Sequence, residues 1–189
     1  MSDSKSAQAG RGSADVSVRI AWGDDAAAVA ALQLRSWHEM YADLFPADTL
    51  PTDAAAVAEV WRTSLTRPAD ARNRVLVALE RNRVTGFVIT SPAGDPDADP
   101  VADAEMSEFT VDPAERAQGH GSRLLHAAVD TMRADRFTRA VCWVLTSDDT
   151  FRNFLTEAGW AADGAHRELD LAGDGVTTVK QVRLHTSLG

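Results

Sequence analysis

Two glycines separated by one residue, Gly119 and Gly121, stand between a strand-like run at 104–111 and a segment with helical periodicity. A glycine lets a ligand approach the backbone closely, because it has no Cβ atom. The first N–H groups of a helix have no acceptor within the helix, so they point at whatever lies beyond its end. A strand, a glycine turn and a helix start in this order therefore predict an anion site, for which phosphate is a natural ligand.

Two common phosphate-binding motifs do not fit this loop. The dinucleotide-binding pattern Gly-x-Gly-x-x-Gly needs a third glycine at the position where this chain has Leu124. The P-loop of nucleoside triphosphatases needs Gly-Lys-Ser or Gly-Lys-Thr, and neither sequence occurs in the chain. What remains is an Arg-x-x-Gly-x-Gly loop that begins at Arg116.

The strand before the glycines carries two carboxylates, Glu105 and Glu108, which are candidate bases for proton removal. Side chains alternate between the two faces of a regular strand, so the odd separation predicts that at most one of them points into a given cleft. A solvated carboxylate at a strand start is the alternative interpretation of Glu105, and it is the favoured one for Glu108. His120, between the glycines, is expected to project outward, into solvent or towards a ligand of the loop.

Aromatic residues at helical spacing, Trp37 and Tyr41, are candidates for the wall of a substrate site, and ordinary core packing is the alternative. Tyr41 is the only tyrosine of the chain, so a tyrosine acid, if one acts, must be this residue. The histidines have no metal-ligand spacing, and the single cysteine, Cys142, excludes a multi-cysteine site. The sequence therefore predicts no metal site.

These residues must be positioned by a mixed set of helices and strands, which the hydrophobic periodicity predicts. Two helices follow a first strand at 16–20. The first, which ends near Phe45, is expected to bury Val29, Leu32, Ser36 and Met40. The second, capped by Thr52 or Asp53, is expected to bury Val57, Val60, Trp61 and Leu65.

Six more strands are predicted along the rest of the chain, at 74–79, 84–90, 104–111, 139–145, 165–171 and 177–184. The proline- and aspartate-rich run at 91–103 is predicted to be a mobile acidic loop whose aspartates are solvated. A short helix capped at Ser147 or Asp148 should end at Gly159, and the last two strands should form a hairpin across 172–175.

Composition places the chain among ordinary globular proteins, with 44% apolar and 25% charged residues in 189 residues. The formal net charge of −9 argues against nucleic-acid binding and favours a cationic small molecule as partner. Residues 1–15 lack an apolar run, so we expect a disordered tail, followed by one domain at 16–189, with no membrane anchor. The cytoplasm is the expected compartment.

The loop, the strand before it and a later helix together resemble the GNAT superfamily of N-acetyltransferases. In that superfamily a strand of the form Ala-Glu-apolar-x-x-aromatic-x-Val precedes the acetyl-coenzyme A loop, and residues 104–111 follow this form in register. The family's Asn-x-x-Ala-x-x-Phe-Tyr-x-x-x-Gly-Phe helix is echoed from Asp148 to Trp160. The resemblance implies an α+β fold: a mixed, mostly antiparallel twisted sheet with helices on both faces, a three-layer sandwich.

The resemblance also implies a function, transfer of an acetyl group from acetyl-coenzyme A to a primary amine of a small molecule or peptide. Glu105 matches the glutamate that acts as base in some members, and Glu108 is the second candidate. The residues implied to hold the cofactor are Phe109, Thr110, Val111, Arg116, Ala117, Gln118, Gly119, His120, Gly121 and Ser122. A homodimer is left open.

Two positions depart from the family pattern. The tyrosine that protonates the departing thiolate in many members corresponds to Leu155, and the asparagine at the helix start corresponds to Asp148. An ionised aspartate can still cap a helix, but it cannot donate a hydrogen bond. A catalytically silent acyl-coenzyme A binding or regulatory domain is therefore the alternative function.

Overall fold

One open sheet of seven strands runs through the computed structural model, which describes residues 16–45, 50–171, 173 and 175–189. The strands are β1 (Val16–Ile20), β2 (Arg74–Glu80), β3 (Arg83–Pro92), β4 (Asp103–Val111), β5 (Arg139–Leu145), β6 (Ala161–Asp170) and β7 (Thr178–Ser187). Their order across the sheet is β1-β2-β3-β4-β5-β7-β6. Every neighbouring pair is antiparallel except β4 and β5, which are parallel.

Four α-helices lie within the described residues: α1 (Ala26–Met40), α2 (Ala54–Thr66), α3 (His120–Ala134) and α4 (Asp149–Glu157). The predicted caps of α2 and α4 are present. Asp53 accepts hydrogen bonds from the first N–H groups of α2, and Asp148 accepts one from the Phe151 N–H at 2.9 Å. Each carboxylate thus satisfies N–H groups that a helix start leaves without partners. None of these helices is long and apolar enough to cross a membrane.

The helices cover both faces of the sheet, as predicted. On one face α1 and α2 pack on β2 and β3, where Trp61 meets the Phe87 ring edge-on at a centroid distance of 5.3 Å. On the other face the fully buried residues Met106, Leu124 and Leu155 belong to one apolar cluster shared with α3 and α4. This three-layer arrangement confirms the predicted mixed, mostly antiparallel sandwich.

The structure corrects several boundaries and burial predictions. β6 begins at Ala161, four residues before the predicted start, because a register shift between Ala162 and His166 breaks the period-two pattern that the prediction used. The predicted burial of Met40 and Val60 is wrong, since these residues are 46% and 67% exposed. The predicted tail at 1–15, most of the loop at 46–51, and residues 172 and 174 of the last turn lie outside the described residues.

The parallel pair β4 and β5 separates early. Its register runs from the pair Asp103 and Arg139 to the pair Glu105 and Val141, and β4 then continues to Val111 beside β3 alone. Two parallel strands that part in this way leave backbone groups free to meet a ligand. The sheet is therefore open beside the end of β4, the strand on which the sequence predicts the site.

Candidate active site

A cleft of about 600 Å³ opens where β4 and β5 part. Its walls are the end of β4, the loop and first turn of α3, the start of α4, and the last turn of α1. The predicted cofactor residues that line it are Phe109, Thr110, Val111, Arg116, Ala117, Gly119, Gly121 and Ser122. Gln118 and His120 are not among its lining residues. The structure thus brings together most of the residues that the sequence assigns to one ligand.

The glycine loop forms the anion-binding end of this cleft. Gly119 takes a left-handed conformation at the helix N-cap, with φ of 81°, and Ala117 is also left-handed, with φ of 61°. The Arg123 N–H donates to the Gly119 carbonyl at 3.2 Å, so α3 begins its hydrogen bonding there. The N–H groups before Arg123 have no acceptor within the helix and give its start a partial positive charge.

Gly121 leaves the cleft open without being required for the fold. A Cβ atom at this position would lie 3.7 Å from the Phe154 ring and 3.7 Å from Val111 Cγ2, which is ordinary contact. Gly121, Phe154 and Val111 all line the cleft. A larger side chain at position 121 would therefore project between Phe154 and Val111 and into the cleft. The glycine is therefore explained by ligand approach more than by backbone strain.

Three phenylalanine rings form an apolar wall of the same cleft. The Phe109 ring stacks on the Phe151 ring at a centroid distance of 5.1 Å, and its centroid lies 5.8 Å from that of the Phe154 ring. Phe151 and Phe154 are presented by α4, whose first turn is held by the Asp148 cap. An uncharged part of a ligand would pack against these rings, with its anionic part at the start of α3.

His120 corrects one prediction. Its side chain is only 2% exposed, whereas we expected it to project outward. Nδ1 lies 3.3 Å from Thr85 Oγ1, and Nε2 lies 3.6 Å from Glu80 Oε2. The reason is that the first turn of α3 packs on β2 and β3, so its first residue turns inward. The His120 side chain is therefore not available to the cleft.

His120, Glu80 and Glu115 place ligand atoms within 4.8 Å of one another, a separation at which a metal ion could bind. A cationic side chain of the protein already pairs with the two carboxylates. Arg83 Nη2 lies 2.5 Å from Glu115 and 3.7 Å from Glu80. The cluster is therefore explained by an internal ion pair that fixes the loop before α3 to the β2–β3 hairpin.

A bulge in β4 corrects the predicted relation of the two carboxylates. Phe87 pairs with Thr110, whereas Ile89 pairs with Ser107, so β4 holds one extra residue between these pairs. Glu108 lies in this bulge, with φ of 50°. The extra residue resets the alternation of side chains. Glu105 and Glu108 therefore share one face of β4, and the expectation of opposite faces is wrong.

Contacts on both sides of the strand support this assignment. Met106 points into the cluster under α3, so the neighbouring Glu105 points to the opposite face, the one that α1 covers. Glu108 accepts a hydrogen bond from Gln33 of α1 at 3.2 Å. Gln33 in turn accepts one from the Trp61 indole at 2.8 Å. Neither carboxylate is among the residues that line the cleft.

Glu105 is partly buried, and its surroundings change its protonation. Burial raises the pKa of its carboxyl group, the nearby Asp95 raises it further, and Arg167 opposes the change. A carboxylate whose pKa is raised towards the working pH is a stronger base than a fully solvated one. Glu105 is therefore not a fully solvated side chain, and its role as base stays a prediction.

The predicted aromatic wall is only partly supported. Trp37 and Tyr41 are half-buried near the end of α1, and neither is among the residues that line the cleft. Burial raises the pKa of the Tyr41 hydroxyl, and the negative charge of Glu108 raises it further. The α1 residues that do line the cleft are Ser36, Glu39 and Met40. Their i, i+3, i+4 spacing indicates that these residues share one face of α1. The sequence alone, however, led us to assign Ser36 and Met40 to the hydrophobic core.

The acidic run after β3 is held by ion pairs, so the prediction that its aspartates are solvated is wrong for Asp95. Trp143 donates to Asp95 at 3.0 Å, and Arg183 contacts Asp95 at 3.1 Å and Asp97 at 2.6 Å. The Arg183 guanidinium lowers the pKa of Asp97 to about 2. These contacts fix the run over β5 and β7, next to Glu105.

Leu155 is fully buried in the apolar cluster under the sheet. The neighbouring Phe154 faces the cleft. Leu155 is not among the residues that line the cleft. The position that corresponds to the family tyrosine therefore contributes to the core.

The comparisons with known proteins agree with this geometry. Residues 34–160 match the model of the acetyltransferase (GNAT) family. No curated protein sequence matches the chain. Because the family model covers most of its length, the chain belongs to the GNAT acetyltransferase family, whose members use acetyl-coenzyme A as cosubstrate.

Solved structures with the same fold are numerous and distant in sequence. An N-acetyltransferase from Staphylococcus aureus Mu50 has a TM-score of 0.72 at 15% identity, covering 93% of this chain and 99% of its own. A GNAT acetyltransferase from Streptococcus pneumoniae has a TM-score of 0.69 at 19% identity, covering 93% and 100%. The structure of YncA from Salmonella typhimurium with its cofactor acetyl-coenzyme A has a TM-score of 0.68 at 17% identity, covering 92% and 94%. Identities this low establish the fold alone.

Proposed function

We propose that this protein transfers the acetyl group of acetyl-coenzyme A to a primary amine of a small molecule or peptide. The observation that carries the proposal is the coincidence of the cleft with the glycine loop, the end of β4 and the start of α4. The residues present fit the cosubstrate chemically. The N–H groups at the start of α3 suit a pyrophosphate, and the Phe109, Phe151 and Phe154 rings suit an uncharged chain.

The cosubstrate would supply the activated acetyl group, and the residues of the chain would orient it and accept a proton. The end of β4 offers backbone N–H groups beyond the point where β5 leaves it. We assign Glu105 as the base, because it is partly buried with a raised pKa on the face opposite α3. Glu108, on the same face, is the second candidate. The net charge of −9 favours a cationic acceptor, such as an amine that is protonated at neutral pH.

A release assay for free thiol tests the proposal, with acetyl-coenzyme A and a panel of amines. The panel should contain a simple alkylamine, a polyamine, an α-amino acid and a peptide with a free N-terminus. We expect thiol release above the amine-free rate with at least one acceptor class, and mass spectrometry should show an acetyl group on that amine. No release with any class would contradict the proposal.

The alternative is a catalytically silent acyl-coenzyme A binding domain. The specific observation in its favour is the burial of Leu155, which leaves α4 without the hydroxyl that many relatives use. The same assay separates the two functions when thermal unfolding is measured beside it. A ligand that binds the folded state raises the melting temperature in a concentration-dependent way. A binding domain would show this rise with coenzyme A and no thiol release.

A further inference from the structure

Ser36 is a buried hydroxyl on the wall of the cleft. The residue is 5% exposed and lines the cleft from the last turns of α1, beside Glu39 and Met40. Its Oγ is shielded from solvent and has no hydrogen-bond partner among the residues that the structure describes. A buried hydroxyl without a partner is unfavourable for the folded state. An exception of this kind at a ligand cleft requires an explanation.

The other hydroxyls of the cleft are in a different situation. Among the described residues, Ser122, Ser147 and Thr150 also line it, but they are exposed, and Thr110 is half-buried. Water can satisfy an exposed hydroxyl and competes with a ligand for it. Ser36 is thus the one buried hydroxyl that these residues contribute to the cleft. A donor held away from water interacts more strongly with a developing charge.

The reaction proposed above places a charge in this cleft, and Ser36 carries the one buried hydroxyl among the described residues that line it. The α4 position of the family tyrosine is Leu155, which is fully buried in the core. Tyr41 does not line the cleft and lies near Glu108 instead. Resting on that proposed function, we propose that Ser36 donates a hydrogen bond to the coenzyme A sulfur as the thioester is cleaved.

The chemistry of this step balances without a further reactant. The amine nitrogen forms its bond to the acetyl carbon, the C–S bond breaks, and the electron pair of that bond passes to sulfur. The proton that the amine loses goes to the carboxylate base. The Ser36 proton stays on Oγ and stabilises the negative sulfur through its hydrogen bond, and solvent protonates the thiolate afterwards.

Ser36→Ala separates this role from a structural one, because the two roles predict opposite combinations. Removing an unpaired buried hydroxyl from a helix should raise the melting temperature, since alanine needs no partner and favours the helix. The same change should lower kcat by about 10- to 100-fold, the effect of one hydrogen bond to a charged group. KM for acetyl-coenzyme A should stay nearly unchanged, because the charge develops only during the reaction.

Thr90→Val is the matched control. Thr90 Oγ1 is the other buried side-chain atom without a hydrogen-bond partner among the described residues. It lies on β3, opposite Met106 in the register, and does not line the cleft. We expect Thr90→Val to raise the melting temperature as Ser36→Ala does and to leave kcat unchanged.

A second measurement does not depend on turnover or on the acceptor. The ultraviolet absorbance of the thiolate gives the pKa of the thiol of bound coenzyme A by titration. A hydrogen bond to the anionic sulfur lowers this pKa, so the bound thiol should titrate at higher pH in Ser36→Ala than in the wild type. This result would support the role of Ser36 even if no amine in the panel were acetylated, which would contradict only the proposed function.

Three outcomes would overturn the inference. They are an unchanged kcat in Ser36→Ala when the wild type is active, an unchanged pKa of the bound thiol, and a lowered melting temperature in Ser36→Ala. The last result would show that the hydroxyl is already satisfied within the protein.

Discussion

Arg116 and Glu39 form a bidentate ion pair across the cleft, with Nη1–Oε1 and Nη2–Oε2 distances of 2.9 and 3.2 Å. Arg116 belongs to the loop before α3, and Glu39 to the last turn of α1. Both side chains are about half exposed, at 56% and 48%, and both line the cleft. The carboxylate therefore compensates the positive charge that the loop would otherwise present to an anionic ligand.

Glu39→Gln should consequently tighten the binding of coenzyme A. The variant leaves Arg116 free to pair with a phosphate, while an exposed ion pair of this kind contributes less than about 1 kcal/mol to folding. We expect a lower Kd by isothermal titration calorimetry, with the difference reduced at high salt. Glu59→Gln, which removes an exposed ion pair with Arg62 on α2, is the control and should leave Kd unchanged. Weaker binding in Glu39→Gln would mean that Glu39 positions Arg116 for the ligand.

Gly121→Glu should abolish the rise in melting temperature that coenzyme A produces. The new carboxylate would project between Val111 and Phe154, towards the N–H groups that we assign to the pyrophosphate. Gly121→Ala should fold normally, because its Cβ makes only ordinary contacts at 3.7 Å. Gly94→Glu, where a Cβ meets no atom within 4 Å, controls for the added charge. A full thermal shift in Gly121→Glu would remove the phosphate assignment.

Glu105→Gln should lower kcat on any accepted amine while the binding of coenzyme A stays near normal. General acid–base catalysis contributes about 10²–10⁴-fold, so the loss should be easy to measure. Glu108→Gln on the same face is the matched comparison. If Glu108→Gln is the variant that loses activity and Glu105→Gln keeps it, Glu108 is the base.

The raised pKa of Glu105 also predicts how stability depends on pH. Burial, the main cause, favours the neutral carboxyl group in the folded state. The ionised form therefore costs stability, and this cost grows as pH rises through the folded-state pKa. Glu105→Gln should melt at a higher temperature than the wild type at neutral pH. The difference should disappear below the unfolded-state pKa of about 4.3, as thermal unfolding at several pH values would show. An equal difference at every pH would contradict the prediction.

The sequence predicted those parts of the site that depend on local chain geometry. Gly119 and Gly121 mark a turn and a helix start in any context, and the β4 pattern before them is nearly regular. The bulge at Glu108 was not predictable in the same way. The inserted residue is defined only by the pairing of β4 with β3. The sequence of β4 contains no glycine or proline that would indicate a bulge.

Other features depended on packing between distant parts of the chain. His120 turns inward because β2 and β3 pack under the first turn of α3, and Asp95 is half-buried because Trp143 and Arg183 reach it from β5 and β7. Composition alone predicts solvation for such residues, since the partners lie 35 to 88 positions away in the chain. Ser36 was assigned to the core from its spacing, and only the cleft shows that it is also a wall residue.

Leu155→Tyr should destabilise the protein without raising turnover. Leu155 is fully buried in a packed cluster, and a phenol is larger than an isobutyl group, so overpacking should cost about 1–3 kcal/mol. Phe154→Tyr is the matched variant, because it adds the same hydroxyl to a residue of α4 that lines the cleft. It should keep the wild-type melting temperature within a few degrees. Tyr41→Phe, which removes the only phenol of the chain, should leave kcat unchanged, because Tyr41 does not line the cleft.

Comparing kcat with the melting temperature for these three variants decides where an acid could act. A gain in kcat for Phe154→Tyr alone would show that a hydroxyl on the cleft side of α4 can reach the departing sulfur. A gain for Leu155→Tyr would contradict its assignment to the core, because a buried phenol could help only if the helix had rotated towards the cleft. A loss of kcat in Tyr41→Phe would place the acid on the α1 side, next to Glu108, and would compete directly with the role proposed for Ser36.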